Sequence, residues 1–353
     1  MKKRDIIVLP LLAVAIVLTA GCGGAPSGGK AKNSRADGGK GEPLAVEQAE
    51  TRYRPFPQMS VPSVYANDAE AAQEYVVTHY WDTFFKSDGP TTPKSILGVS
   101  DDEVEQALSN YIQILQNIKL TATPDEPASF TLARNGVKAM FSRLETRQLA
   151  DTSAHTYLRF TEMVTKYLYD PNSPMRDEDL YLPFAEGMAA SPCTREDMRN
   201  AARFEASACR KNGFGQTARN FSFKDARGNK GSLHAVKADY TMLFFSNPGC
   251  TSCKAIIEEI GSRGFVRPMI TEKKLAIVNI YIDEEVQKWR EYLHNYPPEW
   301  INGYDYTFSL RDSGSYDIRA IPSLYLLDAG KRVIMKDAPT GRVLDYLETI
   351  YRQ

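Results

Sequence analysis

The chain has 353 residues, 42% of them hydrophobic and 25% charged, with 43 Lys and Arg against 44 Asp and Glu. This is an ordinary globular composition, long enough for two domains, and a formal net charge of −1 supplies no field that would attract nucleic-acid phosphate. The longest apolar run is confined to the N-terminus, which excludes a multi-span membrane protein, and five cysteines are too few for a disulfide-built miniprotein.

Lys2, Lys3 and Arg4 precede an apolar stretch from Ile6 to Leu18, followed by small residues. That order predicts a secretory signal over residues 1–21. The apolar segment falls short of the roughly 20 residues a membrane-spanning helix needs. Thr19-Ala-Gly-Cys22 resembles the bacterial lipobox, with Thr19 where leucine is usual, and the resemblance implies lipidation of Cys22. The alternative is a plain secretory signal with a cysteine nearby. A lipid on Cys22 implies a membrane-anchored protein of the cell envelope facing the periplasm. Gly23 and Gly24 give no acidic sorting signal, so the outer membrane is expected over the inner. Residues 22–43, rich in Gly, Ser, Lys and Ala, read as a flexible tether. From Tyr53 to Val64, Pro55, Pro57 and Pro62 predict an extended run along the first domain.

From Asp68 to Asn212 the apolar spacing is helical nearly throughout and predicts an all-α domain over residues 44–213. Val77, Trp81 and Phe85 recur at steps of four, with Tyr80 and Phe84 beside them. An aromatic stripe at this spacing reads as core, with a ligand site as the lesser alternative. Ser100 and Glu103 have the spacing of a capping box ahead of Val104, Leu108, Tyr111, Ile112 and Leu115. Further helices are expected at 131–147, 154–169, 178–190 and 194–211. The last of these would hold Cys193 and Cys209 roughly 24 Å apart at about 1.5 Å per residue, beyond the reach of a disulfide, so both are expected as buried free thiols.

Asn212-Gly-Phe-Gly215 reads as a linker, and the pattern then changes. Asn220 to Asp225 alternates like a strand, and Arg227 to Gly231 is turn chemistry. Tyr240 to Ser246 is a nearly continuous apolar run, as in a buried strand. Cys250-Thr-Ser-Cys253 follows, opening a helix through Ala255, Ile256, Ile257 and Ile260. A strand at 275–282, a helix at 286–293, a hairpin of 323–327 with 332–335 and a helix at 343–350 complete a mixed α/β unit over residues 214–353.

Three segments give this unit a resemblance to thioredoxin-like domains of the membrane-anchored extracytoplasmic thiol–disulfide oxidoreductases. They are Asn220-Phe-Ser-Phe-Lys-Asp225, Phe244-Phe-Ser-Asn-Pro-Gly-Cys-Thr-Ser-Cys253 and Tyr316-Asp-Ile-Arg-Ala-Ile-Pro-Ser-Leu-Tyr325. The resemblance implies that Cys250 attacks a disulfide, that Cys253 resolves it by forming a Cys250–Cys253 disulfide, and that Pro322 is the family's cis-proline beside the substrate groove. At a helix N-terminus Cys250 would face free N–H groups and the positive end of the dipole, which favours thiolate. Gly249 replaces the usual Trp, Thr251-Ser252 the usual Gly-Pro, and Phe244 the buried acid of the family. The helical domain is similar to an uncharacterised module of bacterial lipoproteins through His79-Tyr-Trp-Asp82.

The expected function is an envelope thiol–disulfide oxidoreductase without cofactor or metal. Its partners would be protein thiol or disulfide substrates and an upstream redox partner. The alternative is a binding module on a redox-silent scaffold. A structural disulfide and a zinc site are further readings of the pair. Zinc lacks two more ligands at suitable spacing, and a c-type haem site lacks the histidine, which is Lys254 here.

Overall fold

The computed structural model describes residues 53–352, apart from residue 313. The expected signal, lipidation site Cys22 and tether lie outside the described residues. No described helix is long and apolar enough to cross a membrane.

The first region is helical. Its principal helices are α1 (Ala69–His79), α2 (Asp101–Lys119), α3 (Ala128–Ala150), α4 (Thr156–Leu168), α5 (Glu178–Ala190) and α6 (Glu196–Cys209). Helix α2 shows how the sequence sets them. Ser100 caps it by accepting the Glu103 N–H at 3.3 Å, and three acidic residues in its first turn suit the dipole. Val104, Leu108, Tyr111, Ile112 and Leu115 form its buried face. The capping box is only half formed, however. The Glu103 carboxylate accepts the Phe56 N–H at 2.9 Å instead of returning to the Ser100 N–H. That contact pins the proline-rich entry segment, whose Phe56 ring meets Trp81 edge-on at 5.6 Å. Trp81 itself is 2% exposed among Phe84, Phe85, Tyr111 and Phe160, so the aromatic stripe is core.

The second region is a mixed sheet of seven strands. They are β1 (Ser222–Asp225), β2 (Lys230–Ser232), β3 (Tyr240–Phe245), β4 (Leu275–Tyr281), β5 (Ile301–Tyr304), β6 (Ser323–Leu327) and β7 (Val333–Met335), in spatial order β2-β1-β5-β4-β3-β6-β7. Strand β3 pairs parallel with β4 and antiparallel with β6. It is covered on both faces, which explains its unbroken apolar sequence. Helices α7 (Thr251–Ser262), α8 (Val266–Thr271) and α10 (Thr340–Tyr351) bear on one face, and α9 (Val286–Tyr292) follows β4.

Strand β5 escaped the sequence reading. It is short, and Asn302 and Gly303 interrupt its apolar pattern. Both have structural causes. Asn302 joins a buried hydrogen-bond chain described below, and a Cβ on Gly303 would stand 2.7 Å from the Phe223 ring.

The expected linker is a clamp. Asn212, buried at φ +50°, donates to the Ser315 carbonyl at 2.8 Å and accepts the Arg219 N–H at 2.9 Å. Phe214 stacks on Phe130 at 4.3 Å, and the Gly215 N–H reaches the Val333 carbonyl at 2.8 Å. Asn and Gly stand here because they tolerate left-handed backbone, and the segment they shape is held on both sides.

Candidate active site

Strand β3 delivers the chain to the site. After the wholly buried Phe244 and Phe245, the Ser246-Asn-Pro-Gly249 segment turns the backbone, with Gly249 at φ +73°. A residue without Cβ adopts that conformation at little cost, and it hands Cys250 to the N-cap of α7. Cys250 Sγ accepts the Cys253 N–H at 3.2 Å. The sulfur thus occupies the place of a capping oxygen, against the first N–H groups of the helix.

The two sulfurs are in unlike surroundings. Cys250 is half-buried at the surface end of α7, whereas Cys253, one turn inside, is 2% exposed. Burial, reinforced by the contact with Cys250, pushes the Cys253 thiol up to about 12. Both cysteines are free thiols, so the expected Cys250–Cys253 disulfide is not formed here. Cys250 Sγ is engaged by the Cys253 N–H instead.

Pro322 arrives from the next strand. The Ile321–Pro322 bond is cis and leads directly into β6, whose Ser323 pairs with Phe245. Cys250 lies five residues beyond Phe245, so the two segments leave the same end of neighbouring strands. Ile321 and Cys250 pack against one apolar cluster.

No acid stands behind the pair at position 244. Phe244 is fully buried and meets Trp300 edge-on at 6.4 Å. A neutral polar chain lies nearby, which the sequence reading missed. The Ser246 hydroxyl donates to Asn279 Oδ1 at 2.5 Å, Asn279 Nδ2 donates to Asn302 Oδ1 at 2.9 Å, and Asn302 donates to the Pro297 carbonyl at 3.0 Å. The Tyr296 hydroxyl lies 3.4 Å from Ser246 Oγ. Burial pushes this phenol up to about 12. A lone Asn in the apolar run of β4 was the signal that could have disclosed the chain.

The helical region frames the Pro322 loop through buried ions. Glu178, at the start of α5, contacts Arg319 at 2.9 Å and Lys336 at 2.7 Å. Lys336, with its side chain wholly buried, also donates to the carbonyls of Ala208, Cys209 and Lys211, closing the C-terminal end of α6. Arg319 lies 3.9 Å over the Tyr169 ring and donates to the Tyr169 carbonyl. Arg176 bonds the Asp337 carbonyl at 2.9 Å. Burial raises Glu178 and Asp337 above the usual carboxylate range against the pull of these cations. Beside this seam, Lys119 bridges Asp177 at 2.6 Å and Asp179 at 2.9 Å.

Cys193 and Cys209 are free and stay apart, with α6 between them; burial raises the Cys209 thiol. Cys193 is half-buried rather than buried, because it lies in the turn after α5.

A mixed sheet whose interior strand runs into a cysteine-headed helix, with a cis-proline loop beside it, makes the second region a thioredoxin-like domain, preceded by a helical region. The chain belongs to the family described as a domain of unknown function (DUF5106), which matches residues 30–212. It is similar to the crystal structure of a thioredoxin-like protein from Bacteroides caccae, at 34% identity and a TM-score of 0.67, covering 84% of this chain and 99% of that one. It is also similar to the C-terminal domain of an uncharacterized protein from Bacteroides fragilis, at 40% identity and a TM-score of 0.38, over 39% of this chain and 99% of the other. The thioredoxin domain of a thiol-disulfide oxidoreductase from Bacteroides vulgatus matches at 19% identity and a TM-score of 0.36, over 39% of this chain and 98% of its own. No curated protein matches the chain.

Proposed function

We propose that the protein is a thiol–disulfide oxidoreductase of the cell envelope, held to a membrane by a lipid on Cys22. In the reducing direction the Cys250 thiolate attacks one sulfur of a substrate disulfide. A mixed disulfide forms, and the other substrate sulfur leaves as thiolate. Cys253 then loses its proton and attacks Cys250 Sγ, releasing the second substrate thiol and leaving the Cys250–Cys253 disulfide. Two electrons pass from the pair to the substrate, and an upstream dithiol restores the pair. Pro322 forms one wall of the substrate groove.

The observation that carries this reading is the unlike setting of the two sulfurs. Cys250 is accessible and sits against helix N–H groups, while Cys253 is withheld by burial as a neutral thiol. An attacking thiolate and a late-acting resolving thiol need such a division. The test is reduction of insulin disulfides by the dithiol-charged protein. Cys250→Ser is expected to lower turnover by about 10³-fold or more. Insulin reduction by the wild type no faster than by the variant lacking both cysteines would leave the helical region as a binding module on a redox-silent scaffold. Release of a Cys22→Ala variant from salt-washed membranes tests the anchor.

A further inference from the structure

Beside the seam the helical region holds an open cavity of about 520 Å³, bounded by α4, α5, α6 and Arg319. That volume lies within the range of ligand sites, roughly 300–1,000 Å³. Its walls are largely apolar, built from Tyr169, Tyr181, Met188 and Met198, and methionine accommodates varied shapes. Its charge is unbalanced. Lys166 is tied to Glu105 at 3.0 Å and Arg319 to Glu178 at 2.9 Å. Glu162, Asp170 and Glu205 also line the cavity, and none has a cation partner among the described residues. The unmatched charge at the mouth is therefore negative.

Its position links it to the sulfurs. Arg319 forms part of the wall and precedes Pro322 by three residues, a span of about 11 Å at most. An extended segment of a few residues laid along 319–322 would run from the Pro322 loop toward the cavity.

We infer that this cavity is a specificity site for the polypeptide around a substrate disulfide, taking an aromatic or long apolar side chain with an adjacent lysine or arginine. The inference rests on the oxidoreductase reading for its substrate, and its own test does not need turnover. An eleven-residue peptide carries a central cysteine with a Phe-Lys pair three residues to either side, and a control carries Ser-Asp in those places. With the cysteine replaced by serine and a fluorescein label, the Phe-Lys peptide is expected to bind the full chain at least about tenfold more tightly than the control. Ala201 is exposed on α6 and lines the cavity, so Ala201→Trp fills the space without entering the core. Ala201→Trp, and Glu162→Gln combined with Glu205→Gln, are each expected to remove the preference.

Equal binding of the two peptides, or a preference untouched by both variants, overturns the inference. So does binding of benzylamine that Ala201→Trp blocks, where the peptide does not bind. In a second readout the cysteine peptides are presented as mixed disulfides with thionitrobenzoate. The ratio of their kcat/KM to that of a small aromatic disulfide is expected to fall about tenfold in Ala201→Trp. If neither disulfide turns over, the oxidoreductase reading fails, and the serine peptides still decide the fate of the cavity.

Discussion

Two of the places where the molecule buries polar groups treat them oppositely. Around the cysteine pair they are neutral: Ser246, Asn279, Asn302 and Tyr296 form a hydrogen-bond chain without an ion. Along the seam between the helical region and the sheet they are ionic, with Glu178, Lys336, Arg319 and Asp337 in contact. A redox pair changes charge during its reaction, and a fixed ion beside it would favour one state over the other. A seam keeps one arrangement throughout, so opposed charges there can specify register. The buried hydrogen-bond chain behind the cysteine pair is neutral, and charged groups hold the seam.

The largest effect is expected at the seam. Glu178→Ala leaves Lys336 and Arg319 buried without their shared carboxylate, and chemical denaturation should show a loss of about 3–5 kcal/mol. The sign of the pH dependence sharpens the point. Glu178 is raised in the folded state, so its contribution is fullest at low pH and declines as pH rises through the folded value. Asp179 works in the other direction. Burial pushes it up, but Lys119 outweighs burial and holds it below the usual range, so its contribution is lost as pH falls. Glu178→Gln should shrink the first limb of the stability curve, to which Asp337 also contributes, and leave the second.

A smaller effect is expected in the neutral chain. Asn279→Leu leaves the Ser246 hydroxyl only its longer contact with Tyr296 and strands Asn302 Oδ1, at a cost of about 1–3 kcal/mol. A loss as large as that of Glu178→Ala would erase the distinction between the two places. The smallest belongs to Lys254, whose contact with Glu258 at 3.7 Å joins two side chains each 67% exposed. Lys254→Ala should change stability by less than about 0.5 kcal/mol despite its place next to Cys253.

These two places were unequally legible in the sequence. Strand β3, the cysteine-headed helix and the Pro322 segment stood out because each is written locally, as an apolar run, a short motif and a loop. The helices of the first region were placed within a few residues by their periodicity. The seam was not readable, since Glu178 and Lys336 lie far apart in the chain and each looks like an ordinary charged residue. Asn212 to Gly215 looked like freedom because turn residues signal unusual backbone angles, and only partners such as Asp179 and Val333 show that the angles are fixed. The neutral chain hid for a similar reason: Asn279 and Asn302 weaken the strand signal at the positions where they hold the sheet together.

The central claim is that Cys250 and Cys253 form one redox couple. Equilibrating the reduced protein with glutathione buffers of graded potential, then alkylating and mapping each cysteine by mass, tests it most directly. The account predicts a single reversible two-electron transition in which Cys250 and Cys253 are lost together as thiols, with Cys250 alkylating first in the reduced form and Cys209 unreactive throughout. A pair that stays dithiol across the series, or a Cys250 that alkylates no faster than Cys209, would contradict it.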